Sequence, residues 1–171
     1  LATPQKGIAR WTGAAWELLG SGLAIPSGDP GKVNGLAMMG TTLVAAGKFS
    51  TAGGAPAENI AAWNGTAWSA MPSLPAGSSQ MQGIINAVAV DGEDIYIAGR
   101  FTASGSVASQ GVMKWNHGVW TALGTLLPTA SYLAADSRAL VVWNGSLFAG
   151  GSLFLDSSMT ISSSLVRWNG T

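Results

Sequence analysis

The chain has 171 residues, of which 47% are hydrophobic and only 9% are charged, against roughly 25% charged residues in ordinary soluble domains. Its eight basic and eight acidic side chains cancel, which argues against nucleic acid or an anionic membrane surface as a partner. Cysteine is absent and no apolar run reaches the roughly 20 residues of a membrane span, so the segment is expected to form no disulfide or thiolate metal site and to make no direct membrane insertion.

The sequence is rich in glycine and repeats itself. The 24 glycines, together with abundant Val, Ile, Leu and Trp, indicate a turn-rich β protein rather than a disordered chain. Tryptophans recur with a spacing of 52 residues, or 53 for the last: the first members are Trp11, Trp63, Trp115 and Trp168, and the second members are Trp16, Trp68 and Trp120. Landmarks that keep one period predict a repeat architecture, in which we expect these tryptophans to pack between units.

Each unit is predicted to hold four short strands, a to d. The partial unit at 1–32 has strands c and d, "GIARW" and "AWELL", and a linker. The unit at 33–84 has "VNGLAMM", "LVAAGKF", "NIAAW" and "AWSAM", and the unit at 85–137 has "INAVAVD", "IYIAGRF", "GVMKW" and "VWTAL". The partial unit at 138–171 has strands a, b and c, "RALVVW", "LFAGGSL" and "SLVRW". Strands a and b are near-continuous apolar runs, typical of strands buried on both faces, and no sustained helical period is present.

This pattern predicts an all-β fold, a segment of a β-propeller made of four-stranded antiparallel blades. Short strands repeated every roughly 40–50 residues are the signature of such blades, and a single blade cannot cover both of its own faces. Glycines recur at 47, 99 and 151 in strand b, where we expect close backbone approach between blades or near a central channel. Because joining the two ends would give a blade with two c strands, we expect the chain to be part of a larger propeller. More of the same chain, or other copies, would supply the remaining blades.

The strand c and strand d segments carry a resemblance. They read "NIAAWNGTAWSAM", "GVMKWNHGVWTALG" and "GIARWTGAAWELLG". They resemble the kelch-like propeller repeats of large surface proteins, in which "IAxWNGxxWxxLG" alternates with "LYVGGxF". Similar repeats occur in the fungal cortical markers of cell polarity and in secreted bacterial and algal proteins. The resemblance covers essentially the whole chain, although Ser152-Leu153 departs from the basic-Phe pair of the other copies.

Two further residue types bear on an enzymatic role. The kelch-like family includes a copper oxidase whose radical cofactor needs Tyr and Cys with His ligands. This chain has no Cys, and only Tyr96 and Tyr132. Its single histidine, His117, lies in the turn between strands c and d and is interpreted as a turn residue rather than a base or metal ligand. We therefore predict no catalytic residue, no metal site and no cofactor, and the alternative is an enzyme whose active site lies in other blades.

Charged residues offer two candidate sites. The acidic stretch "DGED" at 91–94 has oxygen ligands suited to calcium, but it aligns with the a–b turns of the other units and is interpreted as a turn. Arg10, Lys114 and Arg167 each precede a strand-c tryptophan. They are predicted to pair locally or to cover their own tryptophan, and the alternative is binding of anionic glycans with cation–π contacts.

Three Asn-Gly-Ser/Thr sequons begin at Asn64, Asn144 and Asn169. They are possible N-glycosylation sites in a secreted protein. Asn-Gly is also what a type I′ hairpin turn requires, because both central residues need a positive φ. The sequons and the weakly charged, Ser/Thr-rich composition favour an extracellular or cell-surface location.

The segments that differ between units are the b–c loops and the d–a linkers. Their residues are small and mostly uncharged, which fits contact surfaces or glycan shielding better than catalysis, and the alternative is that they are low-complexity linkers. The sequence thus predicts a non-catalytic propeller scaffold or protein-interaction module of a large extracellular or cell-surface protein, for example a subunit of a structural assembly. Its expected partners are other blades or neighbouring subunits, and the alternative is glycan binding at the disc face.

Overall fold

The structure is a computed structural model that describes residues 7–72, 84–102, 110–123, 136–154 and 162–168. These residues form sixteen strands and contain no helix, which confirms the all-β prediction. The strands are Ala9–Trp11 (β1), Trp16–Leu18 (β2), Leu23–Ala24 (β3), Lys32–Met39 (β4), Thr42–Lys48 (β5), Thr51–Ala52 (β6), Ala55–Pro56 (β7), Ile60–Trp63 (β8), Trp68–Ala70 (β9), Ile84–Asp91 (β10), Asp94–Thr102 (β11), Gln110–Asn116 (β12), Val119–Ala122 (β13), Asp136–Trp143 (β14), Ser146–Phe154 (β15) and Ser162–Arg167 (β16).

The strands form five antiparallel sheets. We call them sheet 1 (β1–β2), sheet 2 (β4–β5–β8–β9), sheet 3 (β10–β11–β12–β13), sheet 4 (β14–β15–β16) and the loop sheet (β3–β6–β7). Sheets 2 and 3 have equivalent registers: Trp63 lies opposite Trp68 in sheet 2, and Trp115 lies opposite Trp120 in sheet 3. The predicted strands a to d therefore correspond to the observed strands of these two sheets, to within a few residues at each end.

The first strand of each of sheets 2, 3 and 4 carries an irregularity of register near its start. In sheet 2 the register shifts between Val33 and Gly35, which leaves Asn34 as the extra residue of a β-bulge. The shifts in sheets 3 and 4 fall between Ile85 and Ala87 and between Ser137 and Ala139. The bulges change which residues face each side of the sheet, an effect that simple alternation of apolar residues does not reveal.

The strand-b glycines lie opposite these bulges. Gly47 pairs with Val33, and a Cβ added to it would collide with the backbone carbonyl oxygen of Lys32; a Cβ on Gly99 would collide with that of Ile84. Both carbonyls belong to the neighbouring strand of the same sheet. The expectation that these glycines allow approach between blades or near a channel is therefore wrong, because the close approach lies within each sheet. The third glycine, Gly151, also lies beside a bulge, since it pairs with Ser137.

Sheets 2, 3 and 4 stack face to face in chain order. Between sheets 2 and 3, Val44 and Ile60 pack against Ile95, Ile97 and Met113, all of them essentially excluded from water. Between sheets 3 and 4, a smaller cluster brings Ala87, Ala98 and Val112 of sheet 3 against Leu147 of sheet 4. Sheet 3 is thus covered on both faces, which matches its apolar strands.

The outermost faces of the stack are exposed along strand a. We call the face of sheet 2 that points away from sheet 3 its leading face, and the face of sheet 4 that points away from sheet 3 its trailing face. On the leading face Leu36 and Met38 are 52% and 55% exposed, and on the trailing face Val141 and Trp143 are 55% and 65% exposed. The prediction that every strand a is buried on both faces is therefore wrong for β4 and β14, because no described sheet covers the strand-a part of those faces.

The first b–c loop is an ordered part of the core. Its strands β6 and β7 form a hairpin that pairs with β3, in the linker of the preceding unit. Leu23 of that linker is fully buried against Phe49, Ala52 and Ala57. The loop sheet was not predicted from the sequence. Its signal is the Gly53-Gly54 turn, at which both glycines have a positive φ.

The bulge contacts predict the cost of filling the strand-b glycine positions. We expect Gly47→Ala and Gly99→Ala each to lower the free energy of unfolding by about 2 kcal/mol or more, because the added methyl group meets rigid backbone. Gly150→Ala is the control, since the nearest atoms to its added Cβ lie at 3.7 Å, and it is expected to cost less than about 1 kcal/mol. Urea denaturation of the three variants measures the difference, and equal losses at all three positions would contradict this account.

Candidate functional site

The paired tryptophans meet across the last two strands of a unit. Trp11 and Trp16 lie directly opposite each other in sheet 1, with ring centroids 5.6 Å apart and planes tilted by 56°. Trp63 and Trp68 repeat the arrangement in sheet 2, at 5.3 Å and 51°. Tilted aromatic contacts of this kind are favourable. Each pair therefore presents two indoles side by side on one face of its hairpin.

The second tryptophan of a pair is bound to the preceding unit. Trp68 Nε1 donates a hydrogen bond of 2.7 Å to the backbone carbonyl of Leu19, which directly follows β2. Trp120 Nε1 donates a hydrogen bond of 3.0 Å to the carbonyl of Pro72, which follows β9. Trp120 is only 5% exposed and belongs to the core between sheets 2 and 3. Each indole thus combines apolar burial with a directional contact between consecutive units.

The other tryptophans of the repeat occupy less uniform places. Trp115 packs against the core between sheets 2 and 3, and its buried Nε1 has no hydrogen-bond partner among the described residues. Trp63 lies against Gly20, at which a Cβ would come within 3.2 Å of the indole. Trp168 is half-buried beside the cluster between sheets 3 and 4. Trp11 and Trp16 are 53% and 70% exposed, since no described sheet covers sheet 1 on that side.

Asn34 makes a contact between sheets that sequence reasoning missed. Its Nδ2 donates a hydrogen bond of 2.8 Å to the carbonyl of Ile85, so that the bulge of sheet 2 is tied to the bulge region of sheet 3. Asn86 stands at the equivalent place in sheet 3 and Arg138 in sheet 4. A polar residue in an apolar strand at the repeat spacing was the available signal for this contact.

The turns that contain the sequons differ from one another. Asn144 and Gly145 form a two-residue turn between Trp143 and Ser146, and both have a positive φ, as a type I′ turn requires. Asn64 does not have a positive φ, so the prediction of a type I′ turn is wrong at Asn64-Gly65. Because Trp63 pairs with Trp68, four residues separate the strands, and only Gly65 among them has a positive φ.

The side chain of Asn64 organises its longer loop instead. Its Oδ1 accepts hydrogen bonds from the backbone N–H groups of Thr66 and Ala67, at 2.9 and 2.8 Å, and from the hydroxyl of Thr66, at 2.9 Å. Both Asn64 and Asn144 are exposed to solvent. Asn169, the third predicted glycosylation site, lies outside the described residues.

His117 and the acidic stretch at 91–94 meet at the end of sheet 3. His117 has a φ of 45° in the two-residue turn between Asn116 and Val119. Its Nε2 lies 3.3 Å from the carboxylate of Glu93, and both side chains are about three-quarters exposed. The acidic stretch is the a–b turn, in which Asp91 pairs with Asp94. No group of three or more His, Cys, Asp or Glu side chains that could hold a metal ion occurs among the described residues.

A small polar cluster lies beside this turn. Lys114 Nζ is 2.6 Å from Asp94 Oδ2 and 5.7 Å from the centre of the Tyr96 ring, and Asn116 donates a hydrogen bond to Asp94. Burial raises the pKa of the Asp94 carboxyl, but the hydrogen bonds from Lys114 and Asn116 outweigh it, so its pKa lies below the ordinary value. The hydrogen bond with Asp94 raises the pKa of Lys114, and burial raises that of Tyr96.

Two of the three repeated basic residues, Arg10 and Lys114, pair locally, whereas Arg167 lines a cavity between sheets 3 and 4. Arg10 forms an exposed ion pair of 2.9 Å with Glu17 on the neighbouring strand, as Lys114 does with Asp94. Both contacts join neighbouring strands of one sheet, as local cross-strand pairs do.

No family model matches the sequence, and no curated protein matches it. Among the residues described, no helix is long and apolar enough to cross a membrane.

The tryptophan contact predicts unequal effects of two chemically identical substitutions. We expect Trp120→Ala to lower the free energy of unfolding by about 3–5 kcal/mol, because it leaves a cavity between sheets 2 and 3 and removes the hydrogen bond to Pro72. Trp16→Ala, at the equivalent but exposed position, is expected to cost at most about 1 kcal/mol. Thermal and urea denaturation measure both, and a large loss from Trp16→Ala would contradict this assignment.

The Asp94 cluster predicts a pH-dependent stability. Because the folded state lowers the pKa of Asp94, its contribution is present above the unfolded-state value of about 3.9 and is lost as the pH falls through the lower folded value. Asp94→Asn is expected to cost about 1 kcal/mol at neutral pH. The difference from the wild type should shrink below about pH 4. Urea denaturation from pH 2 to 8 tests this, with the exposed Glu17→Gln as the control expected to change less.

Proposed function

We propose that the chain is a non-catalytic scaffold, built as part of a kelch-like β-propeller, in a large extracellular or cell-surface protein. The observation that carries this proposal is the pair of exposed apolar faces at the two ends of the sheet stack. Both faces are made of residues whose equivalents are buried between sheets elsewhere in the same chain.

The exposed residues of the leading face have buried equivalents in sheet 3. Leu36 and Met38 of sheet 2 correspond, 52 residues on, to Val88 and Val90 of sheet 3. Both valines pack into the core between sheets 2 and 3. The leading face of sheet 2 is therefore equivalent to the face of sheet 3 that sheet 2 covers.

The trailing face complements it. Val141 of sheet 4 corresponds to Ala37 and Ala89, both of which are partly or fully buried in the stack. On the trailing face, by contrast, Val141 is exposed, and so are Trp143 and Leu165, the latter 64% exposed. Exposed apolar patches of this extent are characteristic of interaction sites. A trailing face meeting a leading face would repeat the arrangement found within the chain.

The propeller arrangement is supported by how the first strands approach one another. Strand β10 packs against both β4 and β14. Gly35 of β4 comes so close to β10 that a Cβ would lie 3.0 Å from the backbone nitrogen of Val88. Strands a that crowd together, with strands d towards the outside, are what radial blades require.

The location proposed rests on surface chemistry. The sequons at Asn64 and Asn144 are exposed on turns, where an oligosaccharide would not disturb packing. The proposed partners are further units of the propeller or neighbouring subunits.

Glycan binding is the second candidate, and the observation that favours it is the exposed indole pair of Trp11 and Trp16. The equivalent pair, Trp63 and Trp68, is engaged by the preceding unit through Gly20 and Leu19. Packing therefore explains the exposed pair more economically than a ligand does.

The scaffold proposal predicts that the chain self-associates through its end faces. Sedimentation velocity should show association that increases with concentration. The double substitution Val141→Ser and Trp143→Ser should weaken the association at least ~10-fold. Val119→Ser is the control, since Val119 is 62% exposed but lies away from both end faces.

A chain that remains monomeric over the whole concentration range would count against assembly through these faces. Binding on a glycan array that Trp16→Ala abolishes would favour the second candidate instead.

A further inference from the structure

A cavity of about 320 Å³ lies between sheets 3 and 4. Its apolar walls come from Val112 and Leu123 of the sheet 3 region, from Leu147 and Ala149 of β15, and from Leu165, Val166 and Trp168 in and after β16. Ser163 and Arg167 of β16 are the polar residues of the lining. This space is large enough for an aromatic side chain, since a cavity of about 150 Å³ admits a benzene ring.

The matching space between sheets 2 and 3 is filled. Six residues that line the cavity have equivalents one unit earlier: Val112, Leu123, Leu147, Ala149, Val166 and Trp168 correspond to Ile60, Met71, Ile95, Ile97, Met113 and Trp115. All six equivalents belong to, or pack against, the core cluster that contains Trp120. The cavity therefore occupies the place that the indole of Trp120 fills one interface earlier.

The cavity walls are also built from smaller side chains. Val112 replaces Ile60, Ala149 replaces Ile97 and Val166 replaces Met113. Each replacement enlarges the space rather than closing it. An indole that fits between sheets 2 and 3 thus has at least as much room between sheets 3 and 4.

The cavity opens beside an edge strand. Among the described strands, β16 pairs with β15 alone, whereas its equivalents β8 and β12 each pair with a further strand. Consecutive residues 165–168 line the cavity. Neighbouring side chains of a strand point to opposite faces, so consecutive residues can all line the cavity only where it reaches around the edge of the strand. The free edge of β16 therefore lies at the cavity mouth. An added strand at that edge would carry a side chain directly into the cavity.

We propose that this cavity is a seat for the indole of a tryptophan on an added β-strand, which pairs with the free edge of β16. The partner is a strand of the kind that β9 and β13 represent, with the sequence Trp-x-x-Leu or Trp-x-x-Met, supplied by a further unit of this repeat. The identity of that partner rests on the proposed scaffold function. The existence of the seat rests only on the comparison of the two interfaces.

The hydrogen bond of the incoming indole follows from the same comparison. Trp68 bonds to the carbonyl of Leu19 and Trp120 bonds to that of Pro72, both just after the last strand of the preceding sheet. Leu123 holds the position of Leu19 in sheet 3 and lines the cavity. The carbonyl at or next to Leu123 is therefore the expected acceptor.

The experiment uses the whole 171-residue chain and a fluorescently labelled peptide with the sequence of residues 117–124, "HGVWTALG". Fluorescence anisotropy is expected to show saturable binding. Replacing the peptide tryptophan by alanine is expected to weaken binding at least ~10-fold. In NMR spectra of the labelled chain, the peptide should shift the amide signals of Leu147, Ala149 and Val166.

Two variants of the chain locate the binding. Val166→Phe fills the cavity and is expected to weaken binding at least ~10-fold. Val119→Phe is the matched control, because it makes the same change at an exposed position that lines neither the cavity nor an end face, and it should leave the affinity unchanged. Circular dichroism checks that both variants fold. If Val166→Phe does not fold, the alanine peptide still tests the role of the indole.

Absence of binding by the folded chain at about 1 mM peptide, or equal binding of the tryptophan and alanine peptides, would overturn the proposal. Self-association that Trp16→Ala abolishes would show that β2 of a second copy fills the cavity, which would overturn the assignment of a further unit as the partner. Association that depends on Val141 and Trp143 without any peptide binding would leave the scaffold proposal standing and reject the indole seat.

Discussion

Each sheet of this protein has two apolar faces and can cover neither of them by itself. In β5 the consecutive residues Val44 and Ala45 are both fully buried although they point to opposite sides. The side towards sheet 3 closes on isoleucine and methionine, and the other side closes on the linker and loop around Leu23. Burial of apolar surface between successive units, rather than within one, is what holds the fold together. Exposed apolar faces at both ends of the stack are a direct consequence.

The tryptophans give this stacking its direction and register. A buried aliphatic face alone would tolerate sliding, because apolar contact is not directional. The Nε1 groups of Trp68 and Trp120 each select one backbone carbonyl of the unit before. Residues 61–68, "AAWNGTAW", therefore connect two units: Asn64 organises the loop, and the indole of Trp68 is hydrogen-bonded to the preceding unit.

Much of the fold followed from the sequence because the repeat supplied several copies of each signal. Strand b could be recognised from apolar runs around Gly47 and Gly99, and the turns could be recognised from the residues between the paired tryptophans. The bulges could not be predicted, because one extra residue such as Asn34 leaves the apolar pattern intact while reversing which side each residue faces. For the same reason the role of the strand-b glycines was assigned to the wrong neighbour.

The loop sheet was missed because Gly, Ala and Ser are typical of unstructured linkers, whereas Leu23 gives the hairpin a core to pack on. The cavity between sheets 3 and 4 depends on which strands lie next to β16, which no local pattern encodes.

The contact between indole and carbonyl has a consequence for biosynthesis. The acceptor always precedes the donor in the chain: Leu19 comes before Trp68, and Pro72 comes before Trp120. Because proteins emerge from the ribosome with the amino terminus first, each tryptophan is made when the surface that receives it already exists. Docking can then advance one unit at a time along the nascent chain, so that, besides the leading face, only the newest sheet displays an uncovered face.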